Sequence, residues 1–82
     1  MNYELKFSNQ ATNFFRKLNS EIQKRVKDKL NEVSKDPFRF LEHYEGDYYK
    51  LRIGDFRALI DIDFNRKILF IRVFDKRSRI YK

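Results

Sequence analysis

Apolar positions change period along this chain, and each change marks an element. Tyr3-Glu4-Leu5-Lys6-Phe7 alternates apolar with polar residues, the period of two expected of a half-buried strand. The spacing then switches. Ala11, Phe14, Phe15 and Leu18 fall at i, i+3, i+4 and i+7, which predicts a short amphipathic helix with Ser8 or Asn9 placed to cap it. Ser20-Glu21-Ile22-Gln23 reads as a capping box, and Ile22, Val26, Leu30 and Val33 continue one apolar stripe until Asp36-Pro37 stops it. Two helices joined at Asn19-Ser20 thus form a hairpin whose stripes need a surface to cover. Phe38 to Asp47 shows no clear period and reads as a loop that contains His43.

The period returns to two at Tyr48. Tyr49, Leu51 and Ile53 alternate with Tyr48, Lys50 and Arg52, and Gly54-Asp55 is a two-residue hairpin turn. That turn sets Ile53 opposite Phe56, Arg52 opposite Arg57, Leu51 opposite Ala58 and Lys50 opposite Leu59. A second hairpin through Phe64-Asn65-Arg66-Lys67, closed by two or four residues, sets Asp63 against Ile68 and Ile62 against Leu69. One sheet face then collects Leu51, Ile53, Phe56, Ala58, Ile60, Ile62, Leu69, Ile71 and Val73, and the other Lys50, Arg52, Arg57, Leu59, Asp61, Phe70, Arg72 and Phe74. The expectation is one α+β domain over residues 1–82: strand, two-helix hairpin, then a three-stranded antiparallel meander. The helices pack on one sheet face, and the other face is open and basic.

Composition narrows the chemistry. Eighty-two residues with a 41% apolar share support one small core. Cysteine is absent and histidine is single, which removes disulfides, thiolate sites, a zinc site of the usual kind and a Ser-His-Asp arrangement. No run approaches the ~18 apolar residues of a membrane span, and Met1-Asn2-Tyr3-Glu4 has no apolar signal core, so a cytoplasmic protein with no membrane partner is expected. Nineteen Lys and Arg against twelve Asp and Glu leave a net charge of +7, which suits a polyanionic partner, nucleic acid or acidic protein.

The open face is where this charge gathers. Arg52 and Arg57 stand directly across a ladder, an arrangement that costs up to about 1 kcal/mol in repulsion and that a bound phosphate or carboxylate would relieve. The C-terminal run adds Lys76, Arg77, Arg79 and Lys82 with Tyr81, and aromatic residues among cations suit RNA, whose bases stack on rings while the backbone is held by charge. Solvated surface charge and a basic tail are the plainer account of the same residues.

Tyr49-Lys50-Leu51-Arg52-Ile53-Gly54-Asp55-Phe56-Arg57-Ala58-Leu59-Ile60 resembles the central hairpin of the RelE/ParE superfamily of toxins. Lys76-Arg77-Ser78-Arg79-Ile80-Tyr81 is similar to its closing motif, Tyr3 to Leu18 to its opening strand and helix, and Asp36-Pro37 to the break after its second helix. The resemblance spans nearly the whole chain. It implies a RelE-type toxin of a type II toxin–antitoxin system, neutralised by an acidic RelB-like antitoxin. Such a toxin enters the ribosomal A site and cuts mRNA without metal or cofactor, by attack of a ribose 2′-hydroxyl on the adjacent phosphate.

Carried over by position, the resemblance makes Lys50, Arg52, Arg57, Arg77 and Tyr81 the catalytic set. Lys50 or Arg52 helps to deprotonate the 2′-hydroxyl, Arg57 clamps the phosphate, Arg77 stabilises charge or protonates the leaving oxygen, and Tyr81 stacks on or orients a base. A guanidinium is a poor proton shuttle, so the arginines act chiefly as charge and Lys50 is the better base. Lys76, Arg72 and Arg79 are expected to hold RNA, and Phe70, Phe74 and Arg72 to receive the antitoxin. The chain departs from the family at Lys76, where relatives carry histidine, and no glutamate is evidently placed as a base. The ParE branch, which inhibits DNA gyrase by binding, and a non-catalytic RNA-binding module are the alternatives.

Overall fold

The computed structural model describes residues 2–76. Along them run β1 (Glu4–Phe7), α1 (Asn9–Arg16), α2 (Ser20–Lys35), α3 (Pro37–Phe40), β2 (Glu42–Glu45), β3 (Tyr48–Ile53), β4 (Phe56–Asp63) and β5 (Ile68–Lys76). Ser8 caps α1, its hydroxyl accepting from the Ala11 amide. The cap of α2 is Asn19 and not Ser20: the Asn19 side chain accepts from the Ile22 amide at 3.0 Å, so Ser20 is already the first helical residue. Gln23, expected to close a capping box, instead donates to the Phe15 carbonyl at 3.0 Å and ties the start of α2 to the end of α1.

The segment read as a loop holds two elements. Pro37 occupies the first position of the one-turn helix α3, where its missing N–H costs nothing, and the chain then turns directly into β2. The sheet therefore has five strands, in the order β1-β5-β4-β3-β2, and the meander has four of them. β1 lies at the edge beside β5 and parallel to it, Leu5 opposite Leu69 and Phe7 opposite Ile71. All four register pairs expected across β3 and β4 are found, including Arg52 opposite Arg57. Gly54 provides the turn with φ +57, a conformation that side chains adopt at a cost. The second hairpin closes with four residues, Phe64 to Lys67. Asp63 accepts from the Asn65 and Arg66 amides, and Lys67 takes a left-handed φ of 58.

One residue breaks the alternation on β5. Leu59 pairs with Val73 and Ile60 with Ile71, so Arg72 is an extra, bulged residue and the faces exchange beyond it. Phe74, expected on the open face, is 2% exposed in the core, and Val73, expected in the core, is only half-buried. Past the end of β1, α1 satisfies the flank of β5: the Ser8 hydroxyl donates to the Arg72 carbonyl, and the Gln10 amide both donates to and accepts from the Phe74 backbone at 2.9 Å. Phe74 then joins Phe14 and Phe56 in a three-ring cluster, with centroids 5.4 to 5.9 Å apart.

The helices cover one sheet face, as the pattern requires. Ala11, Val26, Leu30 and Val33 meet Leu51, Ile53, Ala58, Ile60, Ile62, Leu69 and Ile71 in one core. No helix among the described residues is long and apolar enough to cross a membrane.

Candidate nucleic-acid interface

The outward face of β3 presents Tyr48, Lys50 and Arg52 in a row, successive side chains about 6.6 Å apart because every second residue points the same way. β2 pairs with β3 only as far as Lys50, so beyond it the flank of β3 has no strand partner among the described residues. Helices α2 and α3 close that side. The result is a cleft of about 530 Å³ lined by Lys29, Arg39, Phe40, Glu42, Lys50, Leu51, Arg52 and Arg57. Among the described residues, five cations and one carboxylate share it.

Each cation is placed by an identifiable contact. Lys29 holds its ammonium 4.4 Å above the Phe40 ring, and Arg39 lies 5.6 Å from the same ring, so one aromatic side chain draws both helices' charges to the cleft wall. Lys50 is in register with Glu42 and ion-paired to it, Nζ to Oε2 3.6 Å. The Lys50 ammonium also lies 5.9 Å from the Tyr44 ring. Arg57 is 6% exposed, a buried guanidinium whose Nη1 donates to the Phe56 carbonyl at 3.1 Å. It stands between Arg52 on one neighbouring strand and Asp75 on the other. Two guanidinium groups facing each other across one ladder repel, and a bound anion relieves that repulsion. The arrangement can grip a phosphate from two sides, since guanidinium forks and ammonium groups make charge-assisted bonds to its oxygens.

Of the residues singled out from sequence, Lys50, Arg52 and Arg57 come together in this cleft. Arg77, Arg79 and Tyr81 lie outside the described residues. Lys76 ends β5 across from Phe56. Arg72 and Phe70 line a separate depression with Asp61 and Arg66; there Arg72 pairs with Asp61 at 3.3 Å and stacks its guanidinium 4.3 Å from the Phe70 ring. Phe74 is removed from any docking surface by the bulge. His43 belongs to β2 and not to a loop: its Nε2 bonds the Gly46 carbonyl at 2.7 Å and its ring meets Tyr49 edge-on, so it pins the β2–β3 turn. Lys29, Arg39 and Glu42 were not anticipated in the site. Their sequence signal is weak, because helix packing and a four-residue exposed strand bring them in. Among the described residues no three His, Asp or Glu side chains gather as a metal site would need.

A family model described as the ParE toxin of the parDE type II toxin–antitoxin system matches residues 5–81. The chain belongs to this toxin family. Solved structures agree on its RelE-type character. The isolated Escherichia coli RelE toxin superposes with a TM-score of 0.75 at 27% identity, over 96% of this chain and 90% of that one. The toxin of the intact E. coli RelBE toxin–antitoxin complex gives 0.74 at 28% identity, over 90% and 95%. The RelBE2 toxin–antitoxin complex of Mycobacterium tuberculosis gives 0.83 at 23% identity, over 94% and 100%, a likeness of fold. Among curated protein sequences none matches. The chain is thus a RelE-type toxin of a type II toxin–antitoxin system, built as a strand, a helix hairpin and an antiparallel meander in one sheet.

Proposed function

We propose that this toxin is a metal-independent endoribonuclease that cuts mRNA in the ribosomal A site and is neutralised by an acidic RelB-like antitoxin. The observation that carries the reading is the convergence of Lys50, Arg52 and Arg57 with Lys29 and Arg39 around one cleft, Arg57 buried beside Arg52. A fold alone needs no such convergence of like charge. In this reading Arg57 clamps the scissile phosphate, while Arg52 and Lys50 stabilise the charge that builds on its oxygens during attack by the 2′-hydroxyl. Arg77 neutralises the leaving oxygen and Tyr81 stacks on a base, with Lys76 and Arg79 holding the flanking backbone. Lys29 and Arg39 extend the phosphate path onto the helices. The antitoxin covers the cleft, drawn by the +7 charge, with Phe70 and Arg72 as an outlying contact.

The test is primer extension on message in a translating extract, with purified wild type, Arg57→Ala and Arg77→Ala. Discrete cuts that need ribosomes and vanish in both variants support the reading. Intact message with translation running overturns it. A second reading, gyrase inhibition by binding, draws on the ParE family match, and a supercoiling assay in which the wild type blocks gyrase while message stays intact would establish it.

A further inference from the structure

Among the described residues, one carboxylate lines the cleft. Glu42 enters it from β2, is directly in register with Lys50, and holds its Oε2 3.6 Å from the Lys50 ammonium. From the Cα of Lys50 to that of Arg52 is about two residues of strand, ~6.6 Å, and Arg52 faces Arg57 across the ladder. A phosphate gripped by Arg52 and Arg57 would lie within one nucleotide's reach of Lys50 and Glu42, so a neighbouring ribose can meet them. The two side chains that could take a proton from that ribose are partners of one another. The Lys50 ammonium sits 3.6 Å from a carboxylate oxygen of Glu42, whose side chain is 76% exposed, so a ribose hydroxyl can reach the carboxylate, and a carboxylate can take a proton as a general base.

We infer that Glu42 is the general base of the ribonuclease reaction and that Lys50 positions it. The inference rests on the ribonuclease reading given above. Glu42 takes the proton from the ribose 2′-hydroxyl as the O2′–P bond forms, and the P–O5′ bond breaks with its electron pair going to O5′. The leaving oxygen takes a proton from solvent, and Glu42 returns its own to solvent. The products are a 2′,3′-cyclic phosphate and a 5′-hydroxyl, no water is consumed, and phosphorus is neither oxidised nor reduced. The cations around the phosphate oppose the charge that develops on its oxygens, which a protonated Lys50 does and a neutral one would not.

The experiment is single-turnover cleavage of a defined message on programmed ribosomes by the full-length toxin, comparing wild type, Glu42→Gln, Glu42→Asp and Lys50→Met across pH, with thermal melting of each. Glu42→Gln should lower kcat about 10²- to 10⁴-fold, the range general bases supply, with KM unchanged and the acid-side limb of kcat against pH abolished. Glu42→Asp should restore part of kcat, the Glu42 variants should melt like wild type because Glu42 lies on an exposed strand, and Lys50→Met should lower kcat as well. Glu42→Gln cutting as fast as wild type overturns the assignment, as does a loss confined to KM or matched by a fall in melting temperature, which would mark the ion pair as structural. A wild type that cuts no message on ribosomes overturns the ribonuclease reading, and this inference with it. Wild-type cutting with an unimpaired Glu42→Gln removes only Glu42.

Discussion

The two faces of β4 share one backbone and answer to different demands. Ala58, Ile60 and Ile62 point to the helices and are buried among aliphatic neighbours, while Arg57, Leu59 and Asp61 alternate with them on the outward side. On the inner face each contact removes apolar surface from water, and sheet and helices agree. On the outer face a buried guanidinium lies between a second guanidinium and a carboxylate, a set of neighbours that burial alone would not select. The inner face supplies the stability that lets the outer one hold charge in place.

The largest effect expected from that division is at the core. Leu69 is fully buried, so Leu69→Ala should cost about 2–5 kcal/mol, and at 4–8 °C per kcal/mol for a chain of this size lower Tm by at least about 8 °C. Thermal unfolding followed by circular dichroism checks it. Cleavage measured well below the melting point should be nearly unchanged, and a Leu69→Ala protein that melts like wild type would break the comparison at its inner face. Arg57→Ala is the mirror experiment. It should reduce message cleavage about 10²- to 10³-fold, the range for losing one preorganised charge partner, while lowering Tm by less than Leu69→Ala does. Equal melting losses would mean that Arg57 is held for the fold, and the outer face would lose its special status.

How much of this division the sequence shows depends on which residues carry it. Helices α1 and α2, the turns that follow β3 and β4, and the placing of Arg52 against Arg57 follow from local periods and from turn chemistry, which act over a few residues and leave their mark on the chain, whereas the one-turn α3 is too short to show a period. The parallel pairing of β1 with β5 does not, because more than sixty residues separate the two and nothing local records where a strand docks. β2 escapes because Glu42-His43-Tyr44-Glu45 is exposed throughout and carries no apolar alternation. The bulge at Arg72 escapes because Val73 and Phe74 are both apolar, so either could take the inner face; the Gln10 side chain and the Phe14 ring decide for Phe74. For the site, Lys50, Arg52 and Arg57 are legible since one register places them together. Lys29, Arg39 and Glu42 are not, since they arrive through helix packing and the unseen strand.

A smaller effect sharpens the same lesson at α2. Asn19→Ala should cost about 1 kcal/mol through loss of the bond to the Ile22 amide, whereas Ser20→Ala, one residue inside the helix, should stay within about 0.5 kcal/mol of wild type, both read from urea unfolding at constant pH. The reverse order would return the cap to Ser20.

The smallest effect bears most directly on the contrast between faces, because it separates stability from function at a single residue. Arg52→Gln keeps a long hydrogen-bonding side chain at an exposed position and removes one of the two like charges facing each other across β3 and β4. If the pair repels in the folded protein, the variant should be more stable than wild type by up to about 1 kcal/mol at low ionic strength. The gain should shrink in molar salt, where charges are screened within ~3 Å. Cleavage should fall at the same time, since the phosphate loses one of its two guanidinium contacts. Urea unfolding at low and high salt, beside the ribosome cleavage assay, reads both quantities. A variant that is less stable at every salt concentration would show that Arg52 is anchored by the fold, and the repulsion argument for an anion site would fail. A variant that gains stability and loses activity would place Arg52 where the outer face serves a bound anion at the expense of the sheet.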